Sequence, residues 1–383
     1  MKIAFFSIYL NHHQAVLADE LYSLLKDDYV FVELAECKDN KGSLENFSNR
    51  PYLLKAWESS DTRDYAMEIA RTFDVCVCGG HLANAFLDER MKERLLTFDM
   101  GERPLKRGLL NMLSPRLIKS QWKYHTSYYI KPFYRLCCSA YAPNDLYFLH
   151  SFKDRCFKWG YFTKVDVNYK VETQNQDTST SGITPLMWCG RFLKWKHPEL
   201  PVLLAARLKA NGYKFVLDMY GSGEELEKTK KLAKRLDVSD VVLFCGNLPN
   251  DQILEAMRKH NIFLFTSDKN EGWGAVLNEA MSNGCAVVAS DEIGSAPYLI
   301  ENKKNGLLFK SGSIADLYQK VSFLIDNPVY KDAMRIEAVK TIVGLWSART
   351  AASRLVDLCE KLLANSELLC LPENGPCSKA LPL

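Results

Sequence analysis

Short apolar runs alternate with longer amphipathic stretches along most of this 383-residue chain. The runs at 2–9, 29–35, 74–80, 94–100 and 135–140 read as strands, and the first is nearly all apolar, which predicts that it is covered on both faces. Between them, 14–25, 63–73, 82–92 and 142–152 carry apolar residues at helical spacing. Strand alternating with helix predicts a doubly wound α/β domain over 1–165. The segment 166–182, DVNYKVETQNQDTSTSG, is polar and reads as a linker. The alternation then resumes over 183–345, with strands at 184–190, 214–220, 241–246, 261–267, 285–290 and 306–310. Helices are expected at 197–211, 224–236, 275–282 and 314–327 in that second domain, and an amphipathic helix at 346–363 follows it. Residues 364–383 contain Pro and Gly and are expected to form a loose tail.

The stretch 261–290 is the most informative. NIFLFTS and CAVVAS read as buried strands, and between them AVLNEAMS reads as a helix stopped by Asn283-Gly284. Such a βαβ unit implies a parallel sheet with a ligand crevice beyond its strand ends. Glu271 lies in the loop before the helix and Glu279 on the helix, with seven residues between them. Both acids are read as acceptors for a ligand's hydroxyls, against the plainer reading of two solvated carboxylates. Gly272-Trp273-Gly274 is expected to expose backbone at the helix entrance, where amide N–H groups suit an anion. Arg191 and Lys196 lie just past the strand 184–190, five positions apart, which sets two cations over the same crevice.

EGWGAVLNE resembles the E-x7-E motif of the family-4 glycosyltransferases, the group 1 type found in bacterial surface polysaccharide biosynthesis. These are retaining enzymes of the GT-B fold, with two Rossmann-like domains facing across a cleft. The resemblance is good over 185–343 and looser before that. It implies that Glu271 contacts the donor sugar and Glu279 the nucleotide ribose. Gly190-Arg191 followed by Lys196 resembles the family's G-R-x4-K element, which implies that both cations hold the donor diphosphate. The likeness further implies close approach near the diphosphate at Gly221 and Gly223, and backbone contacts to the base at Asn247 and Leu248. It also implies that the helix 346–363 packs back on the first domain.

The first loop, Leu10-Asn11-His12-His13, has no glycine, which argues against a dinucleotide fingerprint and departs from many family-4 members. His12 and His13 are candidates for acceptor or phosphate binding, or simply loop histidines. His81, after Gly79-Gly80, matches the family's cleft histidine, and Glu102 and Arg103 compete for that role.

The 49 Lys and Arg residues nearly balance 46 Asp and Glu, and a net charge of +3 predicts no nucleic-acid partner. The N-terminus lacks the flanks of a signal peptide, and no run approaches a membrane span, so a cytoplasmic protein is expected. The twelve cysteines show no zinc spacing and read as small core residues, with Cys370 and Cys377 the pair to watch. No D-x-D motif occurs, so neither a metal nor another cofactor is implied.

One charge asymmetry stands out. From 103 to 144 there is no acidic residue, while Arg103, Lys106, Arg107, Arg116, Lys119, Lys123, Lys131 and Arg135 are basic. Leucines and aromatics such as Leu109, Leu110, Trp122 and Tyr128 are interleaved. The segment reads either as a solvated basic helix pair or as a face resting on anionic lipid at the inner side of the plasma membrane.

The expected activity is transfer of a sugar from a nucleotide diphosphate sugar to a glycan or lipid-linked acceptor, with retention. A nucleotide-sugar epimerase or hydrolase, a binding subunit without turnover and a nicotinamide oxidoreductase are the alternatives.

Overall fold

The computed structural model describes residues 1–36, 47, 49–171, 182–364 and 371–383. The chain divides into two compact units, Met1–Lys164 with Trp346–Leu383, and Val165–Leu345. Each holds one parallel sheet between helices, the α/β Rossmann-like architecture.

In the first unit the strands are β1 (Ile3–Ser7), β2 (Tyr29–Glu33), β3 (Leu53–Lys55), β4 (Val75–Gly79), β5 (Leu96–Gly101), β6 (Phe133–Cys137) and β7 (Cys156–Lys158). Their order is β3-β2-β1-β4-β5-β6-β7, so the direction of winding reverses between β1 and β4. β1 (IAFFS) and β4 (VCVCG) are buried at every position, because helices cover both faces of the sheet. β3 and β7 were not legible in the sequence, since three residues are too few to show a period.

Local chemistry sets several boundaries. The first helix, His12–Leu25, begins two residues earlier than its apolar pattern, because Asn11 caps it. The Asn11 carboxamide oxygen accepts from the amides of His13 (3.0 Å) and Gln14 (3.1 Å). The helix expected over 142–152 stops at Phe148, since His150 and Phe152 have φ of 53° and 54°, which α-helix cannot contain.

The second unit contains β8 (Thr184–Cys189), β9 (Phe215–Tyr220), β10 (Val242–Gly246), β11 (Ile262–Phe265), β12 (Ala286–Ser290) and β13 (Leu307–Phe309). Their order is β10-β9-β8-β11-β12-β13, and winding reverses between β8 and β11. Helices at Asn250–Lys259 and Pro328–Lys340 add to those expected from the pattern.

The tail departs from expectation. Residues 371–383 pack in the first unit instead of lying loose: the amide of Cys377 donates to the carbonyl of Lys158 (2.8 Å), Lys158 donates to Ser378 (2.8 Å), and Ala380 donates to Cys156 (3.0 Å). β7 is an edge strand with unpaired backbone groups, and the tail supplies their partners. Cys377 is buried there; Cys370 lies outside the described residues. In the same unit the helix Ala348–Leu363 packs on His12–Leu25. Of the expected linker, 172–181 lie outside the described residues, while Asp166 pairs with Arg258 (3.2 Å) and the Arg258 guanidinium stacks on Tyr169 (4.6 Å).

Arg90 is fully buried and has no carboxylate partner among the described residues. Its guanidinium instead donates to the carbonyls of Ala70 (3.0 Å), Phe73, Asp74 (3.1 Å) and Leu96 (2.6 Å) and to the Thr97 hydroxyl (3.1 Å). It therefore ties the end of helix Ser60–Thr72 to the start of β5. Each buried carbonyl left without a donor costs about 1–3 kcal/mol. Arg90→Met is expected to lower stability by about 3 kcal/mol or more in urea unfolding, and Arg90→Lys by less. A loss under about 1 kcal/mol for the methionine variant would contradict this role.

Candidate functional site

In the second unit, β10, β9, β8 and β11 are neighbours and all parallel, so the loops after them leave one edge of the sheet side by side. Those loops carry Asn247 and Leu248, then Gly221 and Gly223, then Arg191 and Lys196, then Glu271.

Two of these loops are joined directly. The amide of Asp268 donates to the carbonyl of Trp195 (3.0 Å). The Thr266 hydroxyl donates to the carbonyl of Lys196 (2.8 Å) and accepts from the Trp188 indole (2.9 Å). This lacing continues the β8–β11 pairing past the strand ends and sets Lys196 beside Glu271. Their ammonium and carboxylate form an ion pair, both side chains being mostly buried. The Ser267 hydroxyl donates to the same carboxylate oxygen (3.0 Å). The Lys196 ammonium also lies 4.5 Å from the Trp195 ring centroid and 5.6 Å from that of Phe265, a cation–π setting. Arg191 is exposed on the same loop, and among the described residues no carboxylate pairs with it.

The neighbouring loop is held by backbone contact. Gly221 has φ 128°, and a Cβ there would meet the Gly190 carbonyl oxygen at 1.9 Å. A Cβ on Gly223, φ 150°, would meet the Phe192 oxygen at 2.4 Å. What approaches these glycines closely is thus the chain around Arg191, which they hold in place. Ser222 accepts from the side-chain amide of exposed Asn247 (2.9 Å), and Leu248 beside it is exposed.

The G-W-G turn differs from expectation. Gly272 and Trp273 are buried, not exposed. The indole ring fills the space under the turn, donates to the Asn278 side chain (2.9 Å) and lies 6.3 Å from the Tyr298 ring. A large apolar ring beside a sheet edge gains more from burial than from display. Gly274 is half-buried, with φ 83°, and a Cβ there would strike the Phe265 ring at 2.5 Å and Glu271 Cγ at 3.0 Å. Glycine is therefore required to bring the turn back under Glu271.

Glu279 sits in the first turn of helix Val276–Ser282 and is buried. Burial pushes its carboxyl up to about 7, opposed by a hydrogen bond from Asn250. Sequence reasoning missed Asn250, Thr266 and Ser267. Their residue types are ordinary in loops, and the TS before DKNEG gave no signal beyond its nearness to Glu271.

In the first unit, the winding reversal puts the ends of β1 and β4 side by side. His12 and His81 are exposed there. His13 is half-buried and stacks near Tyr161 (6.5 Å), its Nδ1 without a hydrogen-bond partner among the described residues. Burial, then the adjacent His12, pushes its imidazole down to about 3, so His13 is neutral and offers no charge to a phosphate. Arg103 makes a two-point contact with Asp145 (2.9 and 3.2 Å) and lies over the Tyr141 ring, and Glu102 pairs with Lys106 (3.2 Å). Both are committed to neighbours in the first unit. Among the described residues, no three His, Cys, Asp or Glu side chains cluster to hold a metal ion.

Residues 184–341 match the family Glycosyl transferases group 1. An uncharacterized glycosyltransferase of Methanocaldococcus jannaschii is 31% identical over 143 residues, which are 37% of this chain and 36% of that protein. A GDP-mannose-dependent alpha-(1-6)-phosphatidylinositol monomannoside mannosyltransferase of Mycolicibacterium smegmatis is 24% identical over 184 residues, 46% of this chain and 48% of that one. The matched stretches thus span less than half the length of these relatives. Anabaena HepE in complex with UDP superposes with a TM-score of 0.70 over 94% of this chain and all of its own, at 14% identity. The chain therefore has the GT-B fold, and residues 184–341 of its second unit are similar to the group 1 glycosyl transferases.

Proposed function

We propose that the protein transfers a sugar from a nucleoside diphosphate sugar to an acceptor hydroxyl, with retention at the anomeric carbon and without a metal ion. The observation that carries this reading is the pairing of Lys196 with Glu271 at the β8–β11 strand ends, beside exposed Arg191. One site then offers cations for a diphosphate and a carboxylate for sugar hydroxyls. The relative named for GDP-mannose and phosphatidylinositol monomannoside, and HepE bound to UDP, support a nucleotide donor and a glycan or lipid-linked acceptor.

Lys196 exchanges part of its contact with Glu271 for the diphosphate when donor binds. Arg191 adds a second charge. Negative charge grows on the diphosphate as the glycosidic C–O bond breaks, and fixed cations stabilise it there. Glu271, held by Lys196 and Ser267, accepts from the sugar hydroxyls and so acts as a positioning acceptor, not as a nucleophile. The acceptor oxygen attacks the anomeric carbon from the face the diphosphate leaves. The breaking bond's electron pair stays on the phosphate oxygen, which takes the acceptor's proton. Glu279 and the Asn247-Leu248 loop serve the ribose and base.

Arg191→Ala and Lys196→Ala are each expected to lower transfer by about 100-fold or more. Glu271→Gln should cut transfer strongly while nucleoside diphosphate still binds. Steady-state rates with donor and acceptor varied separately, with product anomers read by NMR, test this. Changes confined to acceptor saturation would refute the diphosphate role, and sugar release without acceptor would point to hydrolysis. Because Arg191 and Lys196 take the role a divalent ion takes elsewhere, excess EDTA is expected to leave the rate unchanged. Loss on chelation with rescue by Mg²⁺ or Mn²⁺ would overturn metal independence.

The raised carboxyl of Glu279 gives a pH signature. Its folded value of about 7 lies above the ordinary 4.5, so the folded state holds the proton more tightly. That contribution to stability is complete below about 4.5 and is lost as pH rises through about 7. The ionised carboxylate accepts from two ribose hydroxyls more strongly than the neutral acid does. Nucleotide affinity should therefore rise with pH through about 7 and level off above, and calorimetry of Glu279→Gln should show no such step.

A further inference from the structure

The acid-free segment after β5 divides sharply into cations that are used and cations that are not. Arg103 is paired with Asp145, Lys106 with Glu102, Lys123 with Asp88 and Arg135 with Asp99. These four brace the segment against the first unit. Arg107, Arg116 and Lys119 are exposed and Lys131 is half-buried, and among the described residues no carboxylate pairs with these four.

The apolar residues divide in the same way. On the helix Pro115–Lys123 and the turn after it, Gln121 accepts from the Ser151 hydroxyl, and Tyr124 is buried against Phe152 (4.6 Å). Ile118 and Trp122, four apart on the same helix, are 53% and 65% exposed. Just before the helix, Leu109, Leu110 and Leu113 of the turn Leu109–Leu113 are 64%, 81% and 74% exposed. Five large apolar side chains thus stand in water on one short segment, where apolar surface residues are ordinarily scattered singly. The three exposed cations are interspersed with them in sequence.

We propose that this face, built on residues 107–122, docks the first unit on an anionic lipid surface. Leucine, isoleucine and tryptophan side chains suit the boundary between headgroups and acyl chains, and unpaired cations beside them suit anionic headgroups. The charge pattern selects this occupant over two others. A two-fold contact with a second copy sets Arg107, Arg116 and Lys119 against themselves. A nucleic-acid backbone suits the cations but leaves Leu109, Leu110 and Leu113 in water. No described helix is long and apolar enough to cross a membrane, so the attachment lies along the surface.

The test is co-sedimentation of the full chain with phosphatidylglycerol–phosphatidylcholine vesicles and with pure phosphatidylcholine vesicles, at about 0.1 M and about 1 M salt. Binding to the anionic vesicles is expected, weakening at high salt as the Debye length falls from about 10 Å to about 3 Å. Each cation near such a surface raises partitioning about fivefold. Joint reversal of Arg107, Arg116 and Lys119 to Glu should therefore lower partitioning by roughly 100-fold or more. Leu110→Ser, Leu113→Ser and Trp122→Ser together should also abolish binding. These side chains are exposed, so circular dichroism and the melting temperature should be unchanged in both variants. Equal sedimentation with both lipids, none with either, or wild-type binding by the serine variant would overturn the proposal. So would loss of self-association in the serine variant without any vesicle binding by the wild type. The readout is independent of glycosyl transfer, so either conclusion can fail alone.

Discussion

Parallel strand pairing is the constraint on which the rest of this structure depends. Among the described residues, every pairing between named strands is parallel, so all strands of one sheet end at the same edge. Residues far apart in sequence are then gathered at that edge without a dedicated binding loop. Winding outward from a first strand in two directions opens the edge where the direction reverses, at β1/β4 and β8/β11. The ion pair between Lys196 and Glu271 spans one of these reversals.

That pair is electrostatically demanding. Removing two charges from most of their water is compensated only when each finds several partners. Glu271 has Lys196 and Ser267, and Lys196 has Glu271 with two aromatic faces. The glycines at 221, 223 and 274 fit into the same arrangement. Each stands where a Cβ would displace a neighbouring loop or ring, so they fix where the charges lie. An arrangement of this kind has its charges already in position in the folded chain. Glu279 differs: it is buried, with a carboxyl that changes charge near neutral pH.

The first unit uses charge in another way. Of the basic residues between β5 and β6, Arg103, Lys106 and Lys123 pair with carboxylates and hold the segment down, while Arg107, Arg116 and Lys119 remain on the outside with leucines and a tryptophan. The same residue type is thus a brace at Arg103 and an unpaired surface charge at Arg107. Only the fold distinguishes them: Asp145 comes within reach of Arg103, while among the described residues no carboxylate pairs with Arg107.

The sequence by itself determined the α/β class, the position of most strands and helices, and the placement of Arg191, Lys196 and Glu271 at strand ends. Buried parallel strands are rich in apolar residues, and the residue after a strand end is fixed by local counting. Other features depended on tertiary structure. β3 and β7 are too short to show a period, and the tail is ordered by an edge strand more than 200 residues away in sequence. Trp273 was read as part of an exposed turn, but the cavity its ring fills is made by other elements. Ser267, Thr266 and Asn250 gain their roles from what lies opposite them, and His13 loses its charge to the packing around it. Periodicity and strand ends are local and survive in a string of letters. Burial, pairing and charge state belong to neighbours that only the folded chain supplies.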